Sequence, residues 1–141
     1  MNHKFKYSRD NARSALALGK LERAVMETLW DCGEISGSEV NVKLGKKLKV
    51  RHNTLLTVME RLVSKGLISK RKVGKLCFYK PSLSRDEFCA MVAEPIFSEL
   101  LKVSSNSTLA AFVDQACRDS EKLELLKHLI EETEKKNKSG R

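Results

Sequence analysis

Apolar residues spaced three and four positions apart predict three helices in the first half of the chain. The first lies in 18–33 and ends at Gly33, a residue type that often follows a helix C-terminus. The second begins at Ser36, which forms with Glu39 the S-x-x-E pattern of a capping box. The third lies in 52–66, where HNTLLTVMERLVSKG places its apolar residues on one side. The pattern indicates a small helical domain in which each helix has one face toward the core and one toward solvent.

The pattern then changes to two short segments rich in β-formers and lysine, LISKRK and KLCFYK. Val73 and Gly74 separate them, which predicts a two-stranded hairpin with a glycine turn that ends at Pro81. Three helices followed by a basic hairpin are the elements of a winged helix-turn-helix domain. In such a domain the third helix is the recognition helix and the hairpin is the wing.

The rest of the chain is again helical in pattern. Ser84 and Glu87 form a second capping box, and Pro95 is expected to kink or break the helix that they begin. The predicted fold is thus mainly α with a small β-hairpin wing. Its parts are a basic flexible arm in 1–17, a winged helix-turn-helix domain in 18–82 and a C-terminal helical region in 83–141.

Net positive charge is confined to the first part of the chain. The net charge is +9, but residues 1–82 carry 18 Lys and Arg against 7 Asp and Glu, whereas residues 83–141 carry 9 against 11. This asymmetry indicates a half that binds a polyanion and a half with another role. Charge that served solubility alone would be spread more evenly along the chain.

The outer face of the predicted recognition helix carries short hydrogen-bonding side chains instead of the Glu, Lys and Gln of a solvated helix. Asparagine pairs bidentately with adenine, threonine offers a hydroxyl and a methyl, and leucine can meet a thymine methyl. The candidate base-reading residues are Asn53, Thr54, Leu56 and Thr57. The candidate phosphate-binding residues are Arg51, His52, Arg61, Lys65, Lys70, Arg71, Lys72 and Lys75. For any one residue, the alternative is an ordinary surface position or a helix cap.

The helices after residue 83 are too few to bury their apolar faces as a separate domain. A two-fold dimer would cover these faces and place two recognition helices on successive turns of the major groove. Packing on the winged-helix domain is the alternative. The candidate residues of this helical dimerisation region are Phe88, Met91, Phe97, Leu101, Phe112, Leu126 and Ile130.

The sequence contains no pattern typical of an enzyme or a metal site. The four cysteines are too far apart for a zinc ligand set, although a redox role stays open; they are Cys32, Cys77, Cys89 and Cys117. We find no G-x-S-x-G serine and no phosphate-binding glycine loop. No apolar run reaches membrane-spanning length. We therefore expect a cytoplasmic protein that is not an enzyme and holds no metal or cofactor.

Three segments resemble the penicillinase-repressor family, the BlaI/MecI/CopY group of bacterial regulators. They are LGKLERAVMETLW, RHNTLLTVMERLVSKGLI and KRKVGKLCFYKP, which fall in the first helix, the third helix and the wing of 18–82. The resemblance implies a homodimeric repressor that binds a palindromic operator of the TACA/TGTA type. It also implies base contacts at Thr54, Thr57 and their neighbours, and dimerisation through the C-terminal helices. The alternative function is a winged-helix module that binds protein or RNA without operator specificity.

The chain departs from this family at three places. The β-lactam-responsive members are cleaved at an Asn-Phe bond, which Ala111-Phe112 matches here. The copper-responsive members end in a cysteine cluster that this sequence does not contain, and staphylococcal-type members carry lysine at the position of Asn53. These departures argue against the usual cleavage and against copper sensing, so any upstream sensor or protease stays open.

Overall fold

The structure, a computed structural model, describes residues 18–140 of the chain. The arm predicted in 1–17 lies outside the described residues. The described part divides into two compact units, of which the first ends at Pro95 and the second begins at Ile96. The domain boundary predicted between residues 82 and 83 stays a prediction.

The described elements are six helices and three short strands. In chain order they are α1 (Lys20–Cys32), β1 (Ile35–Ser36), α2 (Gly37–Leu48), α3 (His52–Ser64), β2 (Ile68–Val73), β3 (Leu76–Pro81), α4 (Arg85–Val103), α5 (Ser105–Ala116) and α6 (Ser120–Ser139). The fold is therefore mainly α with a small sheet. The prediction of a winged helix-turn-helix followed by helices is confirmed.

The wing belongs to a three-stranded antiparallel sheet of order β1-β3-β2, and not to an isolated hairpin. Strand β1 pairs Ile35 with Tyr79 and Ser36 with Phe78. Its two residues were not predicted as a strand because two positions cannot display an alternating pattern. This added strand links the start of α2 to the wing.

The turn of the wing lies one residue later than predicted. Val73 pairs with Leu76, so the two turn residues are Gly74 and Lys75. Gly74 has φ 62° and occupies the first central position, which a type II′ turn reserves for glycine. The glycine signal was therefore correct, and the assignment of Val73 to the turn was wrong.

The core of the first unit is formed by the inward faces of α1, α2 and α3 and by residues of the sheet. Its buried hydrophobic residues are Val25, Met26, Leu29, Ile35, Val40, Leu44, Leu55, Val58, Met59, Leu62, Leu67, Ile68 and Tyr79. The four from α3 share one face at helical spacing, as the sequence predicted. This burial fixes which side of α3 faces solvent.

Both predicted capping boxes are confirmed. Ser36 N donates to the Glu39 carboxylate at 2.7 Å, and Glu39 N donates to Ser36 Oγ at 3.2 Å. Ser84 and Glu87 make the same reciprocal pair at 2.9 and 3.0 Å. The helix that follows, α4, runs through Pro95 without a break. The prediction was that Pro95 would kink or break this helix, and the break is not seen, because a proline removes one helical hydrogen bond, which the neighbouring turns can outweigh.

The start of α4 is fastened to α1 around Trp30. Its indole Nε1 donates to the carbonyl of Leu83 at 3.0 Å, and its ring packs on Phe88 with centroids 5.3 Å apart. The Arg85 guanidinium lies 5.5 Å from the same ring and pairs with two carboxylates of α1. Phe88 and Met91 thus pack against the winged-helix core.

The second unit consists of the end of α4 together with α5 and α6. Phe97 and Phe112 meet edge to face with centroids 5.5 Å apart, and Thr108 Oγ1 donates to the carbonyl of Leu100 at 3.1 Å. Among the described residues from Ile96 to 140, none is fully buried. These helices therefore leave much of their apolar surface exposed.

Candidate DNA-binding surface

Helix α3 presents a polar face to solvent, because its opposite face is buried in the core. Leu55, Met59 and Leu62 are fully buried beneath it, whereas Asn53 and Thr54 in the first turn are exposed. Arg51 is the N-cap residue, and no side chain makes a capping hydrogen bond there. The alternative in which Arg51 or Asn53 serves as a side-chain cap is thus not seen. The first turn of α3 is open to a ligand that carries hydrogen-bonding edges.

The hydroxyl of Thr57 is oriented by its own helix. Its Oγ1 donates to the carbonyl of Asn53 at 3.0 Å, a bond that serine and threonine commonly make within helices. The hydroxyl hydrogen is therefore engaged, and the side chain offers outward an acceptor oxygen and a methyl group. Ser64 makes the same bond to the carbonyl of Glu60 at 3.0 Å, about two turns further along.

Leu56 lies differently from the other residues predicted to read bases. It is half-buried and packs against the core. A Cβ added at Gly37 would meet Leu56 Cδ2 and Tyr79 Cε2, each at 3.4 Å. Leu56 therefore faces the start of α2 and the sheet. Periodicity placed it on the outer flank of α3 but did not reveal that Gly37 leaves room for it.

Three of the predicted phosphate-binding cations are already paired with carboxylates. Lys65 Nζ lies 2.8 Å from Glu22 Oε2, and Lys70 Nζ lies 2.7 Å from Glu60 Oε1. Arg71 pairs with Glu34, whose hydrogen bond raises the pKa of the guanidinium further above its ordinary value. These carboxylates lie 43, 10 and 37 residues from their partners in the chain. The sequence alone gave no signal for such pairs.

The remaining candidates form no ion pair within residues 18–140. They are exposed residues of α3 and of the wing tip: Arg51, His52, Arg61, Lys72 and Lys75. Lys75 occupies the turn of the wing, and Lys72 is the last but one residue of β2, close to that turn. Positive charge without a described counter-ion is therefore present at α3 and at the wing tip.

A cavity of about 370 Å³ separates α3 from the wing on one side. It is lined by Ser36, Gly37, Ser38, His52, Leu56, Glu60, Lys70, Lys75, Leu76, Cys77 and Tyr79. Glu60 bridges the two elements, and the hydrogen bond from Lys70 is the main cause that lowers the pKa of its carboxyl. Helix and wing are thus joined here by polar side chains.

The rest of the described chain adds no obvious chemical site. Within 18–140, no group of three His, Cys, Asp or Glu side chains is arranged to hold a metal ion. None of the described helices combines the length and the apolar character needed to cross a membrane. Cys77 is half-buried, and the other three cysteines are exposed thiols. Ala111 and Phe112, the predicted match to the bond cleaved in the β-lactam-responsive members, lie inside α5.

A comparison with protein-family models assigns the chain. The model described as penicillinase repressor matches residues 18–132. The chain belongs to the penicillinase repressor family. The match spans the winged helix and most of the C-terminal helices, which extends the sequence resemblance beyond residue 82.

Curated relatives agree with this family. The penicillinase repressor of Bacillus licheniformis is 23% identical over 117 residues, which cover 83% of this chain and 91% of the relative. The transcriptional regulator BlaI of Mycobacterium tuberculosis is 30% identical over 104 residues, covering 72% of this chain and 75% of the relative.

Among solved structures, RosR of H. salinarum matches in its hsRosR-S1 complex. The TM-score is 0.51 at 18% identity, over 85% of this chain and 95% of that chain. At this identity the likeness concerns the fold alone.

Proposed function

We propose that this protein is a homodimeric transcriptional repressor that binds a palindromic operator through the major groove. The observation that carries the proposal is the polar face of α3, exposed above a fully buried face, in a member of the penicillinase repressor family. DNA is the duplex partner that this face and the nearby cations fit. The alternative, a module that binds protein or RNA, would be favoured by an apolar or acidic outer face, which α3 does not have apart from Leu56 and Glu60.

Base reading is assigned to Asn53, Thr54 and Thr57. All three are exposed in the first half of α3, the part that a recognition helix inserts deepest. Because the hydroxyl hydrogen of Thr57 is held by the backbone, we expect Thr57 to accept a hydrogen bond from a base or to touch a thymine methyl. Leu56, which packs inward, is left out of this set.

Phosphate binding is assigned to the exposed cations without a described counter-ion, at α3 and the wing tip. These are Arg51, His52, Arg61, Lys72 and Lys75. A cation that already pairs with a carboxylate gains less from a phosphate, because the first pair must be broken. Lys65, Lys70 and Arg71 therefore contribute less than their charge suggests.

Dimerisation is assigned to the second unit. Phe97, Leu101, Phe112 and Ile130 are each at least 37% exposed, an unusual state for residues of this size on a monomer. An apolar cavity of about 400 Å³, lined in part by Phe112 and Leu126, offers a recess for a partner's side chain. A second copy would cover this surface. Phe88 and Met91 pack inside the first unit and are not needed for the interface. We infer a cytoplasmic location, because a repressor must reach its operator DNA.

Thr57→Ala is expected to reduce the discrimination between operator and scrambled DNA by about 1–3 kcal/mol. The change removes both the outward acceptor and the methyl, while the buried face of α3 is untouched. Fluorescence anisotropy on the two duplexes measures the ratio of affinities.

Ser64→Ala is the matched control, since Ser64 makes the same backbone hydrogen bond at the far end of the helix. The ratio of the affinities for operator and scrambled DNA in Ser64→Ala should equal that of the wild type. Thr57→Val keeps the methyl and Thr57→Ser keeps the hydroxyl, so the pair separates the two contacts. An unchanged ratio in Thr57→Ala would remove Thr57 from the base-reading set.

Lys72→Ala is expected to weaken binding to both duplexes alike. Each phosphate contact contributes about 0.9 to the magnitude of the slope of log affinity against log salt, so the loss of Lys72 from both protomers should lower that magnitude by about 1.8. Lys136→Ala, a change near the end of α6, serves as the control and should leave the slope unaltered. A loss confined to the operator would mean that Lys72 reads sequence and not phosphate.

A further inference from the structure

One carboxylate oxygen joins the helix to both strands of the wing. Glu60 Oε1, on α3, accepts hydrogen bonds from Lys70 Nζ at 2.7 Å and from Tyr79 OH at 3.2 Å. Lys70 is on β2 and Tyr79 on β3, and the two residues are cross-strand partners. A single side chain of α3 thus contacts both strands of the wing.

The tie is supported by burial of the tyrosine. Tyr79 is 2% exposed, and its hydroxyl donates to Glu60. Without that acceptor, a buried hydroxyl would lose its described partner, which proteins rarely tolerate. The Lys70 ammonium also lies 6.0 Å from the centre of the Tyr79 ring. The three side chains therefore form one cluster and do not act as independent surface groups.

An unpaired carboxylate on a recognition helix would repel DNA phosphates. Here the charge of Glu60 is compensated by Lys70, whose pKa is raised chiefly by the hydrogen bond to that carboxylate. At neutral pH the pair carries no net charge. The lysine that sequence reasoning assigned to phosphate is already held by the protein.

We propose that Glu60 is a positioning residue for DNA binding, which fixes the wing against the recognition helix and keeps Lys70 out of the phosphate-binding set. The inference rests on the DNA-binding function proposed above. Lys72 provides the contrast: it lies two residues beyond Lys70 on β2, hence on the same face of the sheet, but has no described ion pair. Of these two lysines, Lys72 binds phosphate and Lys70 does not.

The test is a salt series of anisotropy titrations with the full-length protein on a TACA/TGTA palindrome and a scrambled duplex. Lys72→Gln should lower the magnitude of the slope by about 1.8, which is about 0.9 for each of the two protomers on the duplex, whereas Lys70→Gln should leave it within about 0.3 of the wild type. Glu60→Gln should release Lys70 in both protomers and raise the magnitude of the slope by about 1.8. It should also reduce operator preference several-fold, because the wing is no longer fixed against the recognition helix by Glu60. The double variant Glu60→Gln/Lys70→Gln should return to the wild-type slope.

The outcomes that overturn the inference are distinct. A slope reduced by about 1.8 in Lys70→Gln would mean that Lys70 binds phosphate in both protomers of the wild type. If the double variant kept the raised slope, Glu60 would act by simple repulsion. If every variant lost thermal stability while slope and preference stayed constant, the cluster would be structural. If Glu60→Gln folds poorly, Lys70→Gln alone still tests whether Lys70 binds phosphate. Absence of salt-dependent binding in the wild type would contradict the proposed function itself and this inference with it.

Discussion

Leu62→Ala is expected to lower the free energy of unfolding by about 2–5 kcal/mol. Leu62 is fully buried on the inward face of α3, so truncation removes apolar contacts and leaves a cavity beneath the helix that we propose to read DNA. Because domains are stable by only about 5–15 kcal/mol, this loss is a large share of the total. Urea unfolding of the variant and the wild type, followed by circular dichroism, measures the difference.

Leu76→Ala is the matched control for this prediction. It removes the same atoms from a side chain that is 53% exposed near the wing tip, and we expect a change within about 0.5 kcal/mol. Below its unfolding transition, Leu62→Ala should retain the operator preference of the wild type, because the outer face of α3 is unchanged. A loss of stability no greater than that of Leu76→Ala would mean that α3 is not anchored as described.

Ile130→Asp is expected to weaken operator binding by on the order of 100-fold or more, by separating the two protomers. Ile130 is 52% exposed on α6, and in a two-fold interface the change would bury two carboxylates without counter-ions. Each protomer would then bind one half-site without the benefit of a linked second site. Analytical ultracentrifugation gives the oligomeric state, and anisotropy gives the affinity.

Val42→Asp is the control, since Val42 is 75% exposed on α2, outside the second unit. It should leave both the dimer and operator binding intact. A single half-site duplex should bind Ile130→Asp and the wild type about equally, which separates loss of dimerisation from misfolding. If Ile130→Asp stayed dimeric at micromolar concentration, the interface would have to lie elsewhere.

Helix α3 was predictable because one periodicity determines both of its faces. Leu55, Met59 and Leu62 recur at helical spacing, and the polar residues between them necessarily face away. The capping boxes at Ser36 and Ser84 were also predictable, since both partners lie within four residues of each other. Features that depend on local spacing are therefore recovered from the sequence alone.

Features that depend on distant residues were not recovered. The pairs Glu22–Lys65 and Glu34–Arg71 join positions far apart in the chain. The sequence therefore gave no sign that this lysine and this arginine have carboxylate partners. Strand β1 is defined by its pairing with β3 and not by its own two residues. The inward packing of Leu56 depends on Gly37, which belongs to another helix. Residues that look equivalent in the local sequence pattern can therefore have different roles once tertiary contacts form.

The most direct test of the central claim is fluorescence anisotropy of the wild-type protein with a TACA/TGTA palindrome and a scrambled duplex, each over a salt series. Sequence-specific repressors typically prefer their site over non-specific DNA by about 10³-fold or more. We predict such a preference for the palindrome, with two protomers bound per duplex. Equal and steeply salt-dependent binding to both duplexes would contradict the account, because it would show affinity for phosphates without operator recognition.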